Sequence, residues 1–122
     1  MPCDCELDLE RRWVRVRAWG VLTYEEIVES RRKFTSDPNF APDFSQLADG
    51  REVTRIAVAA SQVGLLAGQH IFGPQSRRAF VAPKRDTFDL IRKYQIYREL
   101  NAGEDKIKIF RSLEEAEAWL AG

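Results

Sequence analysis

The chain is short of the residues that usually carry site chemistry. One histidine, His70, and two cysteines, Cys3 and Cys5, are its whole supply of imidazole and thiol ligands. A structural zinc ion takes about four such donors, and Cys-x-Cys with a single remote histidine does not provide them. The two cysteines stand an i, i+2 step apart, about 6.6 Å on an extended strand, at the far edge of disulfide geometry. They are expected to be ordinary small strand residues. There is no glycine-rich phosphate loop, no serine nucleophile elbow and no pair of catalytic carboxylates. No cofactor is therefore expected. His70 as a general base would need a nucleophile and an orienting carboxylate, neither of which the sequence places, so it is expected to sit near a helix end where the dipole favours it.

An excess of one charge is also missing. Nineteen basic residues balance nineteen acidic ones, so no net field draws nucleic acid or an anionic membrane from a distance. Nor is there a long hydrophobic run. The longest nearly uncharged stretch, Ile56 to Phe72, is broken by Ser61, Gln62, Gln69 and His70, too short and too polar to span a bilayer. Nothing reads as a targeting segment, and the expected location is the cytoplasm.

What remains is a chain of 122 residues with 44% hydrophobic content, enough for one compact core. A single domain over residues 1–122 is expected. Its clearest local signal is an alternation in residues 4–19. Cys5, Leu7 and Leu9 alternate with acids, and Val14, Val16 and Ala18 alternate with Trp13, Arg15, Arg17 and Trp19, the pattern of a hairpin with one buried face. Closing it on Arg11 and Arg12 sets Leu9 opposite Val14, Leu7 opposite Val16 and Cys5 opposite Ala18, with Asp8–Arg15 and Glu6–Arg17 on the other face. Gly20 is expected to end it.

Thr23 followed by Glu26 is a capping-box start for a helix from Tyr24 to about Phe34. A short strand at about Phe44 to Ala48 is expected to stop at Asp49-Gly50, Val53 to Val58 is ambiguous, and Ala59 to Gln69 reads as a helix. Its Gly64 and Gly68 suggest a smooth face packed closely on a sheet. Ala79 to Ala82 reads as a buried parallel strand. A long helix capped by Asp86 or Thr87 then runs to about Leu100, stopped by Asn101 and Gly103. A strand from Ile107 to Phe110 precedes a last helix, which Ser112 and Glu115 open. Repeated strand-helix units with short connections give an α/β fold: a mixed sheet of about five strands, an N-terminal hairpin followed by parallel units, packed with about four helices.

The hairpin ending in Arg17-Ala18-Trp19-Gly20, the Leu47-Ala48-Asp49 strand end, the Phe72-Gly73-Pro74 loop, the Ala79-Phe80-Val81-Ala82-Pro83 strand and the closing Phe110-Arg111-Ser112-Leu113-Glu114-Glu115-Ala116 together resemble a STAS domain. STAS is the anti-sigma-factor antagonist fold, and the likeness is to its SpoIIAA-like branch, found in many bacterial proteins of unknown role. The resemblance implies a non-enzymatic regulatory or protein-interaction module. Members that antagonise anti-sigma factors carry a phosphorylatable Asp-Ser pair at the start of the helix after the third strand. Here Ala59 and Ala60 fall on that pair and Ser61 on the following serine, so the usual switch is expected to be missing.

Ligands in open α/β sheets favour the carboxyl ends of the parallel strands, where Asp49, Arg51, Lys84, Arg85, Thr87 and Arg111 are expected, with Ser61 nearby. Free N–H groups at a helix start beside Lys84 and Arg85 suit an anion; a solvated turn is the alternative. Trp13, Arg15, Arg17 and Trp19 share one face and suggest a partner surface, hence a homodimer or an unidentified protein partner. The alternative is a small apolar or lipid-like ligand with an anionic group at that rim. Phe88, Ile91, Tyr94 and Tyr97, with Phe40 and Phe72, are its candidate walls. Neither nucleic acid nor membrane insertion is expected.

Overall fold

The computed structural model describes residues 3–102 and 106–122, with no side-chain account of residues 101 and 102. Five strands and four helices alternate after an opening strand pair. They are β1 (Cys3–Asp8), β2 (Trp13–Thr23), α1 (Tyr24–Thr35), β3 (Ser45–Ala57), α2 (Ala60–Ala67), β4 (Arg78–Val81), α3 (Arg85–Ala102), β5 (Ile107–Phe110) and α4 (Leu113–Ala121). The sheet order is β1-β2-β3-β4-β5. β1 runs antiparallel to β2, and every other neighbouring pair is parallel, which is the mixed sheet expected.

The opening hairpin forms with its buried face as expected but in a different register. Leu7 pairs with Val14, Cys5 with Val16 and Cys3 with Ala18, two residues away from closure on Arg11 and Arg12. A shift of two preserves the side-chain parity, so the aliphatic row still faces the core while every cross-strand partner changes. The cause is the turn. Leu9 to Arg12 all lie outside the strands, the Asp8 carboxylate accepts from the Arg11 backbone N–H at 3.1 Å, and Arg12 adopts the left-handed conformation at φ 59°. Leu9 consequently lies in the turn, 55% exposed.

Two strands run further than their turn residues suggest. Gly20, at φ +64°, does not end β2; it sits inside it beside a register irregularity. Asp49-Gly50 does not end β3, which continues to Ala57 because β2 supplies partners as far as Thr23. Beyond Asp49, β3 has left β4 behind. An ideal Cβ at Gly50 would lie 2.9 Å from the Val81 carbonyl oxygen, so only glycine fits where the two strands part.

The capping box on α1 is complete: the Thr23 hydroxyl accepts from the Glu26 N–H at 3.4 Å, and Glu26 Oε1 accepts from the Thr23 N–H at 3.0 Å. Ser112 accepts from the Glu115 N–H at 3.2 Å and starts α4. α3 begins at Arg85, with the Phe88 N–H bonded to the Lys84 carbonyl. Asp86 and Thr87 are thus within its first turn and do not cap it. The expected stop at Gly103 lies outside the described residues. α2 ends at Ala67, so His70 is exposed beyond the helix rather than at its last turn.

The sheet is covered unequally. α4 packs on one face, where Ala116 and Leu120 meet Trp13, Leu47, Ala79, Val81 and Phe110. The other face carries Val14 and Val16 with Phe34 of α1, and Phe80 packed edge-on to Tyr94 of α3. Phe34, Phe40, Phe44 and Phe72 form a ring cluster with centroids 5.3–5.8 Å apart, sealing the end of this layer from which β2 and β3 start. No described helix is long and apolar enough to cross a membrane.

Candidate functional site

The site follows from how α2 is held. It is a helix of eight residues, too short to be stable through its own backbone bonds, and its last carbonyls are gripped from both sides. Arg31 of α1 donates from Nη1 to the Leu66 carbonyl at 2.9 Å and to Gln69 Oε1 at 2.8 Å. Arg98 of α3 donates from Nη1 to the Ala67 carbonyl at 2.8 Å and to the Gln69 carbonyl at 3.1 Å. Two guanidinium groups at the negative end of a helix satisfy its orphan acceptors and oppose its dipole. Arg31 also reaches α3, donating from Nη2 to the Tyr94 hydroxyl at 3.1 Å with its guanidinium 5.7 Å from the ring centre.

Held in this way, the three helices do not close on the sheet. A cavity of about 150 Å³ remains between them. Its floor is the sheet, with Val16, Ala18, Leu22, Val53 and Ile56. Ile27 and Phe34 of α1, Val63 and Leu66 of α2, and Leu90 and Ile91 of α3 form its walls and roof. Polar groups are few: Ser30, Arg31, Gln46, Thr87 and Tyr94 are among them. Asp49 also lines it, but its carboxylate is engaged by Arg51, which donates from Nε and Nη2 at 2.9 Å each. Burial works to raise the Asp49 carboxyl, and the hydrogen bonds and charge of Arg51 outweigh it and hold the group below the usual carboxylate range.

Of the residues expected at the strand-end rim, several do share one end of the sheet. The register Asp49–Val81–Phe110 sets Arg51, Lys84 and Arg111 just beyond the same level. Lys84 donates from Nζ to the Val53 carbonyl at 3.0 Å, on the β3 edge that β4 has left bare. Arg85 is 93% exposed in its side chain and lies 3.9 Å from Asp89. Ser61 is the second residue of α2 and exposed, and Arg111 is exposed. Thr87 alone of the expected basic-turn group is buried, on the cavity wall.

The Trp-Arg face is split in two. Trp13 is 6% exposed because α4 covers it, so it is core. Arg15 is half-buried, 3.6 Å from Asp8 and 3.3 Å from Glu117 of α4. Past α4, Arg17 lies over the half-buried Trp19, 5.0 Å from its ring centre, and pairs with Glu52 at 3.4 Å. Of the aromatics expected to wall a cavity, Tyr94 does so, together with Ile91 of the same stripe. Phe40 and Phe72 are instead packed into the ring cluster, and Phe88 and Tyr97 are not among the lining residues.

Arg31 is the residue that sequence reasoning missed. It sits in Arg31-Arg32-Lys33, which reads as a solvated helix face, and only its bonds to α2 and α3 distinguish it. Gly64 also departs from expectation: nothing lies within 4 Å of an ideal Cβ there, so it makes no close contact with the sheet. Cys3 and Cys5 are both free, and burial pushes both thiols up. Among the described residues, no cluster of His, Cys, Asp or Glu is arranged to hold a metal.

No family model and no curated protein matches the chain. Solved structures do. An uncharacterised protein of the DUF3478 family with a SpoIIAA-like fold, from Shewanella loihica PV-4, is 20% identical, with 88% of this chain and 83% of that one covered at a TM-score of 0.52. The anti-sigma factor antagonist SpoIIAA in its unphosphorylated form is 16% identical, with 97% and 96% covered at a TM-score of 0.56. Sheet order, helix placement and these likenesses agree: the chain has the STAS-type, SpoIIAA-like fold.

Proposed function

We propose that the chain is a non-enzymatic regulatory module that holds a small, mostly apolar ligand between its sheet and α1, α2 and α3. The cavity carries this reading. Apolar side chains that line an unfilled space forgo burial worth about 25 cal/mol per Å², which an apolar occupant restores. An apolar cavity of about 150 Å³ holds a molecule the size of benzene. Titration with toluene, followed by methyl-resolved NMR, tests it: saturable shifts at Val16, Leu22 and Val53 support the reading. If no small apolar probe shifts them at any concentration short of its solubility, the reading fails.

A second reading, a protein-interaction module acting singly or as a homodimer, is favoured by the fold likeness to an anti-sigma factor antagonist. Its candidate surfaces are the rim with Arg51, Lys84, Arg85 and Arg111 and the Arg17–Trp19 strip. In this reading the chain works without the usual serine switch, since Ala59 caps α2 with no side-chain oxygen and Ala60 follows it. Phosphopeptide mapping after incubation with cell lysate and ATP checks this, and labelling of Ser61 would refute it. Light scattering across a concentration series reads the oligomeric state.

A further inference from the structure

We infer that the ligand is a single-ring organic carboxylate, whose ring fills the cavity and whose carboxylate is received by Arg31. The inference rests on the ligand-holding reading above and specifies its chemistry. Volume favours a small occupant: about 150 Å³ matches one six-membered ring with a small substituent. Charge then selects among rings of that size. Among the described residues, Arg31 is the only cationic side chain lining the cavity, and no carboxylate lies within ion-pair distance of it. The acid in the wall, Asp49, is already held by Arg51. The lining as it stands therefore carries one uncompensated positive charge.

The donors of Arg31 are only partly used. A guanidinium has five N–H groups. Nη1 gives its two to Leu66 and Gln69, and Nη2 gives one to Tyr94. The Nε–H and the second Nη2–H have no acceptor among the described residues. Nε and Nη2 share the edge of the group with which Arg32 holds Glu29 and Arg51 holds Asp49 in this same chain. A carboxylate accepts both in parallel, and such charge-assisted pairs are about twice as strong as neutral hydrogen bonds. Were Arg31 only a tie between helices, its Nη groups would suffice and the cavity would be indifferent to the charge of what fills it.

Four probes on the wild-type protein provide the test: benzoate, toluene, benzylammonium and decanoate, each titrated under methyl-resolved NMR at low salt. Expected are saturable shifts at Val53 and Leu22 with benzoate, at least tenfold tighter than toluene. Benzylammonium and decanoate are expected to bind more weakly than toluene. Arg31→Lys, which keeps charge but not the paired donors, is expected to reduce the preference for benzoate several-fold, and Arg31→Gln to abolish it while toluene still binds. Equal binding of benzoate and toluene, or tighter binding of benzylammonium or decanoate, overturns the inference and leaves the ligand-holding reading standing. Binding of none of the four overturns both. Should the Arg31 variants not fold, the ranking of the four probes on the wild type is sufficient by itself to uphold or overturn the inference.

Discussion

Alanine placed at three glycines in turn is expected to move stability in opposite directions. At Gly50 the new methyl carbon would stand 2.9 Å from the Val81 carbonyl oxygen, a backbone atom that cannot swing aside. Overpacking of this kind costs about 1–3 kcal/mol, against about 0.4–1 kcal/mol returned through a less flexible unfolded chain. The net expectation is a loss of about 1–2 kcal/mol. At Gly20 the obstacle is φ +64° with open space around it, and the left-handed conformation costs a Cβ-bearing residue about 1–2 kcal/mol. Gly64 is inside α2 with nothing within 4 Å of the added carbon, and alanine is favoured over glycine in a helix by about 0.8–1 kcal/mol. Gly64→Ala should therefore raise the melting temperature while Gly50→Ala lowers it, the two separated by roughly 7–12 °C for a domain of this size. Differential scanning calorimetry of the three variants reads this directly. A Gly50→Ala protein as stable as the wild type would refute the strand geometry at the point where β3 and β4 part. A destabilised Gly64→Ala protein would refute the open surface assigned to α2.

Trp13→Ala is expected to cost about 3–5 kcal/mol in urea unfolding, as a large core residue does, and Trp19→Ala clearly less; equal losses would contradict the placement of α4 over Trp13 alone. The depressed pKa of Asp49 means that its ionised form is favoured by the fold, so its contribution is complete above the unfolded carboxylate value of about 3.9 and disappears as pH falls through the lower folded value. Urea midpoints measured from pH 7 down to pH 2.5 should fall less steeply in Asp49→Asn, and an unchanged acid slope would contradict the Asp49–Arg51 assignment. Because burial pushes Cys3 and Cys5 up, Ellman's reagent at pH 8 should label the native protein more slowly than the unfolded one, where both thiols react. Rapid native labelling of Cys3 would contradict its burial beneath α1.

Local signals carry most of the architecture. Thr23 with Glu26 and Ser112 with Glu115 place two helix starts to the residue, since the capping groups are neighbours in sequence. Alternation gives the buried face of the hairpin, yet it repeats every two residues, so it cannot separate closure on Arg11-Arg12 from the four-residue turn that Asp8 and Arg12 build. Asp49-Gly50 resembles a strand end, and what carries β3 through it is the length of β2, a partner far away in sequence. The cavity is less legible still. Helical spacing picks out Ile91 and Tyr94, but the space they line depends on where α1, α2 and α3 rest. That is decided by Arg31 and Arg98, which nothing in the sequence separates from the other arginines.

The measurement closest to the ligand-holding role is a methyl-resolved titration of the native protein with toluene. Saturable shifts are expected at Val16, Leu22, Val53 and Ile56 on the cavity floor, with Leu47 and Leu120 on the α4 face unmoved. Shifts confined to the α4 face, or none at all, would contradict that role.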